Sequence, residues 1–382
     1  MTMHAQQAPI VLAAGGTGGH VFPAQAVASV LEGRGRRLVL ITDSRGVEFG
    51  AALAHIESHK IRAGTPLARG PIARGLGIIK LLVGVRDAAR LLRRLEPAAV
   101  IGFGGYPSVP TMIAASRAGM ATAIHEQNAI LGRANRLLAS RVLSIATSFE
   151  HTGGISKADS FKVAVTGNPV RPAVAALATG AYPLPDHDGR LNLLVIGGSQ
   201  GASVFAELVP VALAKLAPQI RSRLRITQHC RKEDLQQVRE RYASGGIEAD
   251  CAAFFDDLPA RLQSAHLVVS RAGASTVAEL AAAGRPAILV PYPFATDDHQ
   301  SANSRELEAA GGAIMLAESE TGAGRLAECL SGFLASPEAL ARAASAAAGI
   351  GRPGAGEALA DLVESLIPAN GDSLSAVGRK AA

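Results

Sequence analysis

Short, uninterrupted apolar runs recur along the chain, each followed by a glycine-rich or polar turn and then by residues with helical spacing. The first half holds PIVLAAGGTGGH (9–20), RLVLIT (37–42), AAVIGFGGYP (98–107), ATAIHEQN (121–128), RVLSIA (141–146) and FKVAVTG (161–167), with a weaker HKIRAG (59–64). The second half holds LNLLVIGGSQGA (191–202), RITQHC (225–230), CAAFF (251–255), HLVVS (266–270), PAILVPY (286–292) and AIMLAE (313–318). Runs of this length without alternation read as strands buried on both faces. Between them, 21–35 reads as a helix with Pro23 in its first turn and Gly33 near its end, and 76–95 as a helix rich in basic residues. Further helices are expected over 321–366, broken at 351–354. Strands alternating with helices predict an α/β fold with parallel sheets covered on both sides.

The alternation is interrupted once. GNPVRP (167–172) and a proline-rich 173–190 read as a linker, after which LNLLVIGGSQGA repeats the layout of PIVLAAGGTGG. A chain of 382 residues accommodates two domains. We place them at 1–167 and 168–353, with a final helix at 354–366 returning to the first domain and a frayed tail at 368–382. The two crossings are places where hinge rotation could be absorbed. Ligands of such sheets bind at the carboxyl ends of strands, where the unusual residues of both halves lie, and two such halves suggest a cleft.

Composition narrows the partners. A net charge of +6 with 4% aromatic residues suits acidic small molecules or an anionic membrane face better than nucleic acid. Cys230, Cys251 and Cys329 are far apart, which argues for a reducing compartment without disulfides or a zinc site. The N-terminus lacks the basic segment of a signal peptide. Residues 97–116 carry no charge but contain a glycine turn and three prolines, so they read as strand, turn and helix rather than a membrane span. Asp186-His187-Asp188 has an acidic metal-binding spacing but sits in the linker, so no metal is expected. In the helix at 76–95, Ile78, Leu81, Leu82, Val85, Ala89 and Leu92 form the face expected to pack on the sheet. Ile79 and Val83 project elsewhere among Lys80, Arg86, Arg90, Arg93 and Arg94, a pattern suited to an anionic leaflet.

The chemistry centres on SRAGASTVAELAAAG (270–284). After the strand HLVVS a helix starts near Ala274, with Val277, Leu280, Ala281 and Gly284 on its packing face. Ser275, Thr276 and Glu279 fall on another face. A helix N-terminus offers free N–H groups and the positive dipole end to a phosphate, and Glu279 one turn deeper could accept from two ribose hydroxyls. A capped helix with a solvated glutamate has the same sequence pattern. GGTGGH (15–20) invites a dinucleotide reading, with Asp43 as the ribose acid, but Val21 stands where the third glycine belongs. His20 closes that turn, either as a cap or as a general base. Gly197-Gly198-Ser199-Gln200-Gly201 is a second turn suited to phosphate. Arg171 at the junction could meet a diphosphate, and the Asp297–Gln300 stretch with Asn303 could read sugar hydroxyls. A nicotinamide oxidoreductase and a non-catalytic nucleotide-binding protein remain alternatives to a transferase.

Taken together, GGTGGHVFPAQAVA (15–28), GFGGYPSVP (102–110), HEQNAILGRANRLLA (125–139), GNPVR (167–171), GGSQGA (197–202), FFDDL (254–258), SRAGASTVAELAAAGRPAILVP (270–291) and DDHQSANS (297–304) resemble the MurG family. These are the UDP-N-acetylglucosamine–lipid I transferases of bacterial peptidoglycan synthesis. The resemblance covers roughly residues 9–366. It implies a GT-B fold and an inverting transfer of N-acetylglucosamine to the C4 hydroxyl of the N-acetylmuramyl unit, without metal or cofactor. It implies two further partners: the undecaprenyl-linked lipid I and the cytoplasmic face of the membrane. By position, Thr17, Gly18 and Gly19 approach the donor, and His20 is the candidate base. Asn128 lies near the donor sugar, Arg171 and Ser199 serve the diphosphate, and Phe255 holds the uracil edge through its backbone. Ala274, Ser275, Thr276, Val277, Ala278 and Glu279 form the phosphate turn and ribose clamp, and Gln300 contacts the sugar. The sequence departs from the family pattern at His299-Gln300, where Gln-Gln is common, and at Ser275-Thr276, where Leu-Thr is frequent.

Overall fold

The structure is a computed structural model that describes residues 8–15, 18–43, 53–64, 70–186, 188–197 and 202–368, with Pro71 and Ala73 described by backbone alone. Thr17, Ser199, His187 and the tail beyond 368 lie outside the described residues. Contacts divide the chain into two units, Met1–Pro169 with Gly354–Ala382, and Val170–Pro353.

The first unit holds strands β1 (Ile10–Ala13), β2 (Leu38–Thr42), β3 (Glu57–Lys60), β4 (Ala99–Gly102), β5 (Thr122–Glu126), β6 (Ser144–Thr147) and β7 (Val163–Val165). They form one sheet in the order β3-β2-β1-β4-β5-β6-β7, and every pairing is parallel. Its longer helices are α1 (Gly18–Gly33), α2 (Pro71–Leu95) and α3 (Gly105–Arg117). In the second unit, β8 (Leu191–Ile196), β9 (Leu224–His229), β10 (Glu248–Ala252), β11 (Leu267–Ser270), β12 (Ala287–Leu289) and β13 (Ala313–Met315) give the order β10-β9-β8-β11-β12-β13, again all parallel. The longer helices there are α4 (Ser203–Ala214), α5 (Leu235–Ser244), α6 (Ala274–Ala282), α7 (His299–Ala309), α8 (Ala323–Leu334) and α9 (Pro337–Ile350). Both sheets are therefore doubly wound. The strand order reverses beside β1 and β4 in one and beside β8 and β11 in the other, and ligands of this fold bind at such points.

The central strands form because their side chains are apolar on both faces. β1, β2, β4 and β11 are buried throughout. α10 (Ala355–Ser365) closes the first unit: Leu359, Ala360 and Val363 join the core of Ile10, Leu12 and Leu31. Arg34 reaches Asp361 and Glu364 at 2.6 Å, and Arg36 reaches Glu364 at 2.6 Å. Exposed pairs of this kind contribute at most about 1 kcal/mol each, whereas each fully buried large apolar side chain contributes about 1.5–3 kcal/mol. The apolar face therefore holds α10 in place.

Two helices depart from the sequence expectation. α1 starts at Gly18 rather than Val21, so Pro23 lies inside it. Pro23 still falls within the first two turns, and its missing N–H forfeits a bond to the Gly19 carbonyl only. α2 starts at Pro71, a favoured first position, and most of the expected face packs: Leu92 is buried, with Leu81, Val85 and Ala89 partly buried against the same core. Gly77, Gly84, Ala88, Leu91 and Leu92 are buried, while Ile78 and Leu82, expected on the packing face, are 46% and 60% exposed. The backbone explains the difference. A Cβ on Gly84 would stand 2.0 Å from the Arg62 carbonyl oxygen, and one on Gly64 would stand 2.2 Å from the Gly77 carbonyl oxygen. A glycine stripe lets α2 approach the strand-exit segment, and Ile78 and Leu82, beside it, stand outward.

Candidate functional site

In the first unit the polar residues gather past β1, β4 and β5. His20 stands in the first turn of α1 and is half-buried. The turn after β4 wraps the ring. Gly104 and Gly105 have φ of +83° and +69°, and a Cβ on either would lie within 3.3 Å of an imidazole atom. Only glycine meets both demands at no steric cost. His20 Nδ1 is 3.1 Å from Gln127 Oε1. Gln127 Nε2 in turn donates to the Phe103 carbonyl at 3.0 Å, to the His125 carbonyl at 3.2 Å and toward His125 Nδ1 at 3.0 Å. His125 Nε2 is 3.1 Å from the Gly167 carbonyl. The His125 ring is fully enclosed, and burial pushes its pKa down to about 4, the backbone bond to Gly167 opposing this. It is neutral at physiological pH.

Beside this chain lies Glu126, which is buried. Its carboxylate accepts from the Asn128 backbone N–H at 3.0 Å, the Asn128 amide at 3.1 Å, the Gly132 N–H at 2.8 Å and the Asn135 amide at 2.8 Å. Hydrogen bonds to the charged form offset the cost of burying it. Glu126 thus ties down the 128–132 loop that carries Asn128. The sequence reading singled out Asn128 and His20, and missed Glu126, Gln127 and Asn135. All three stand within HEQN and the start of the next helix, so the polar cluster at a strand's carboxyl end was the available signal.

In the second unit the turn after β11 opens α6, whose N-cap Gly273 adds no side-chain bond. Val277, Leu280 and Ala281 are buried as expected. Ser275 Oγ is enclosed without a hydrogen-bond partner. Arg171 and Glu279, read from sequence as contacts to different parts of a ligand, are partners. Arg171 Nε and Nη2 meet the two Glu279 oxygens at 2.7 Å and 2.8 Å. Burial disfavours the Arg171 charge, but the pairing with Glu279 outweighs it and leaves the guanidinium pKa raised. The pair keeps 38% and 19% of its side-chain surfaces exposed.

Gln300 and Asn303 hold the turn from α7. Gln300 Oε1 accepts from the Ala272 N–H at 3.1 Å and the Tyr292 N–H at 2.9 Å, and Asn303 Nδ2 donates to the Ala272 carbonyl at 3.1 Å. The Gln300 oxygen is therefore committed to backbone, and the group it could turn to a sugar is its Nε2–H. Arg271, unremarked in the sequence, is buried against the Val290 and Pro291 carbonyls and pairs with Glu318 at 2.5 Å. Phe255 lies three residues past β10 with the Arg261 guanidinium 4.0 Å from its ring centroid. Among the described residues no group of three or more His, Cys, Asp or Glu could hold a metal ion.

The family models and the curated relatives point to one family. Residues 10–147 match the glycosyltransferase family 28 N-terminal domain, and residues 192–365 match the family 28 C-terminal domain. The chain is 53% identical over 366 residues to a UDP-N-acetylglucosamine–N-acetylmuramyl-(pentapeptide) pyrophosphoryl-undecaprenol N-acetylglucosamine transferase of Paramagnetospirillum magneticum, covering 96% of this chain and 99% of the relative. It is 54% identical over 356 residues to the same-named transferase of Rhodospirillum centenum, covering 93% and 94%. Among solved structures it is similar to MurG of Acinetobacter baumannii, with a TM-score of 0.77 and 29% identity over 93% of this chain and 99% of that one.

Proposed function

We propose a division of labour that starts from one fact: this chain belongs to glycosyltransferase family 28 and is an N-acetylglucosamine transferase of the MurG family with a GT-B fold. The enzyme moves N-acetylglucosamine from its UDP carrier to the lipid-linked N-acetylmuramyl-pentapeptide, lipid I, giving lipid II.

The second unit is the donor half. The N–H groups and dipole of α6 face the diphosphate, with Thr276 in its first turn, and the enclosed Ser275 hydroxyl becomes a donor to it once the turn adjusts to the ligand. Glu279 accepts the ribose hydroxyls, and Arg171, held beside it, supplies positive charge to the phosphates. Phe255 meets the uracil through its backbone, and Gln300 offers Nε2–H to the sugar. Ala274, Val277 and Ala278 complete the turn. Thr17 and Ser199 keep the donor contacts that the resemblance implies.

The first unit is the reacting half. The C4 hydroxyl of the acceptor gives its proton to His20 Nε2 while its oxygen attacks the anomeric carbon. The bond from that carbon to UDP breaks, and its electron pair leaves on the β-phosphate. Helix dipole and Arg171 stabilise the departing charge. Gly18 and Gly19 leave room for the donor, and Asn128, fixed by Glu126, lies beside its sugar. The observation that carries this reading is the position of His20: half-buried at the strand-order reversal, with Nδ1 already engaged and Nε2 turned to a glycine.

The outer surface of the first unit serves the membrane. Ile72, Leu76, Ile78, Ile79 and Leu82 are all exposed on α2, with Lys80, Arg86, Arg90, Arg93 and Arg94 along the same helix. Among the described residues no helix is long and apolar enough to cross a membrane. An apolar patch among cations suits shallow insertion into an anionic leaflet, where the polyprenyl chain of the acceptor resides. Calorimetric titration tests the donor half: UDP-N-acetylglucosamine should bind and NADH should not. NADH binding with no response to the UDP-sugar would overturn the donor assignment.

A further inference from the structure

The hydrogen bond between His20 and Gln127 has a direction that the surroundings impose. Gln127 Nε2 is within 3.2 Å of the Phe103 and His125 carbonyl oxygens, and carbonyl oxygens accept only. The amide therefore presents its nitrogen to those carbonyls and its oxygen to His20. An amide oxygen also accepts only, so the proton of this bond belongs to His20 Nδ1. A neutral imidazole protonated at Nδ1 carries its lone pair on Nε2. We propose that Gln127 is a positioning residue that fixes His20 in the tautomer able to accept a proton at Nε2.

His125 holds the other end. Its Nδ1 faces Gln127 Nε2, so it accepts, and its Nε2–H donates to the Gly167 carbonyl. A neutral, enclosed ring with that tautomer keeps the Gln127 amide from flipping. From His20 to Gly167 the donor and acceptor roles are mutually consistent, the two Gln127 N–H groups being shared among three acceptors. An amide carries no formal charge, so it orients the ring without forming an ion pair. Gly105 completes the arrangement: a Cβ there would lie 3.4 Å from Nε2 and 3.1 Å from Cδ2, covering the basic atom.

The role of Nε2 in turnover rests on His20 being the base, but the tautomer can be read without turnover. ¹⁵N-labelled histidine in the full-length enzyme, with His20 assigned by its loss in His20→Gln, should show at pH 8 a protonated-type Nδ1 and an unprotonated-type Nε2. Gln127→Leu should shift His20 toward the Nε2–H form. It should also lower kcat roughly 10- to 100-fold, a part of the 10²–10⁴ that a positioned base contributes, with donor KM unchanged. Wild-type His20 protonated at Nε2 would overturn the proposal without any variant. So would a Gln127→Leu enzyme that keeps both tautomer and kcat. If Gln127→Leu does not fold, the isosteric Gln127→Met takes its place, and the wild-type spectrum decides in either case. An Nδ1–H tautomer in an enzyme whose kcat survives His20→Gln would remove the base assignment while leaving the tautomer inference standing.

Discussion

The two halves share a strand order and place their polar residues at the same reversal point, but they build them differently. In the first unit a chain of side chains is bonded end to end: His20 to Gln127, Gln127 to the neutral His125 ring, and His125 to backbone. In the second, Arg171 and Glu279 form an ion pair that keeps part of its surface in solvent. The enclosed Gln127 amide and His125 ring cannot exchange partners without leaving a polar group unsatisfied, at about 1–3 kcal/mol per group. They therefore fix where a proton sits. A partly exposed ion pair can pass each charge to a ligand that offers hydroxyls to one side and phosphates to the other. The first arrangement suits a base whose orientation must not vary. The second suits a site that is filled and emptied each cycle.

The largest expected effect is on the reacting half. His20→Gln should lower kcat roughly 10²- to 10⁴-fold while donor KM stays near wild type. A normal kcat with a raised donor KM would place His20 on the donor side and dissolve the contrast.

Next is the pH dependence of the relay. His125 has an ordinary pKa of 6.5, lowered to about 4 in the fold. Between those values the unfolded chain binds a proton that the folded chain refuses, so stability falls as pH drops through that window. The full loss is about 3 kcal/mol. Denaturant titrations from pH 7 to pH 4 should show this slope in wild type and a flatter one in His125→Gln. Equal slopes would mean that the ring is not held neutral.

A smaller effect belongs to the ion pair. Glu279→Ala should weaken UDP binding by roughly 1.5–3 kcal/mol, the worth of a hydrogen bond to a charged group. Its unfolding free energy should change by no more than about 1 kcal/mol, because a partly exposed pair contributes little. Unchanged UDP affinity by calorimetry would remove Glu279 from the donor half.

What could be read in advance divides along physical lines. The central strands β1, β2, β8 and β11 were legible because burial on both faces demands apolar side chains throughout. Of the four edge strands among the described residues, β7 and β13 fall within the expected runs FKVAVTG and AIMLAE, and β3 and β10 are displaced. HKIRAG was expected where β3 is Glu57–Lys60, and CAAFF where β10 is Glu248–Ala252, since an edge strand is exposed along part of its length and loses the apolar run. On α2 the expected face holds at Leu81, Val85, Ala89 and Leu92 and fails at Ile78 and Leu82, beside the glycines that make the close approach. His20, Arg171 and Glu279 were legible as types at telling positions. Their partners were not: Gln127 lies 107 residues from His20 and Glu279 lies 108 from Arg171. Strand order brings the first pair together, and the packing of the short helix Pro172–Ala175 beside α6 brings the second.

The smallest effect concerns the outer face of α2. Ile79→Glu with Leu82→Glu should reduce binding to anionic vesicles, and added salt should weaken wild-type binding, each nearby cation adding about 1 kcal/mol. Activity on a water-soluble acceptor should be unaffected. Equal vesicle binding by wild type and the double variant would move the membrane contact to another surface.

The most direct test of the whole assignment is turnover of UDP-N-acetylglucosamine with a water-soluble lipid I analogue, following UDP and disaccharide together. One UDP should be released for each β-1,4-linked disaccharide formed, with negligible release without acceptor and loss of both products in His20→Gln. UDP-sugar bound but never transferred, or UDP released with no disaccharide, would contradict the assignment.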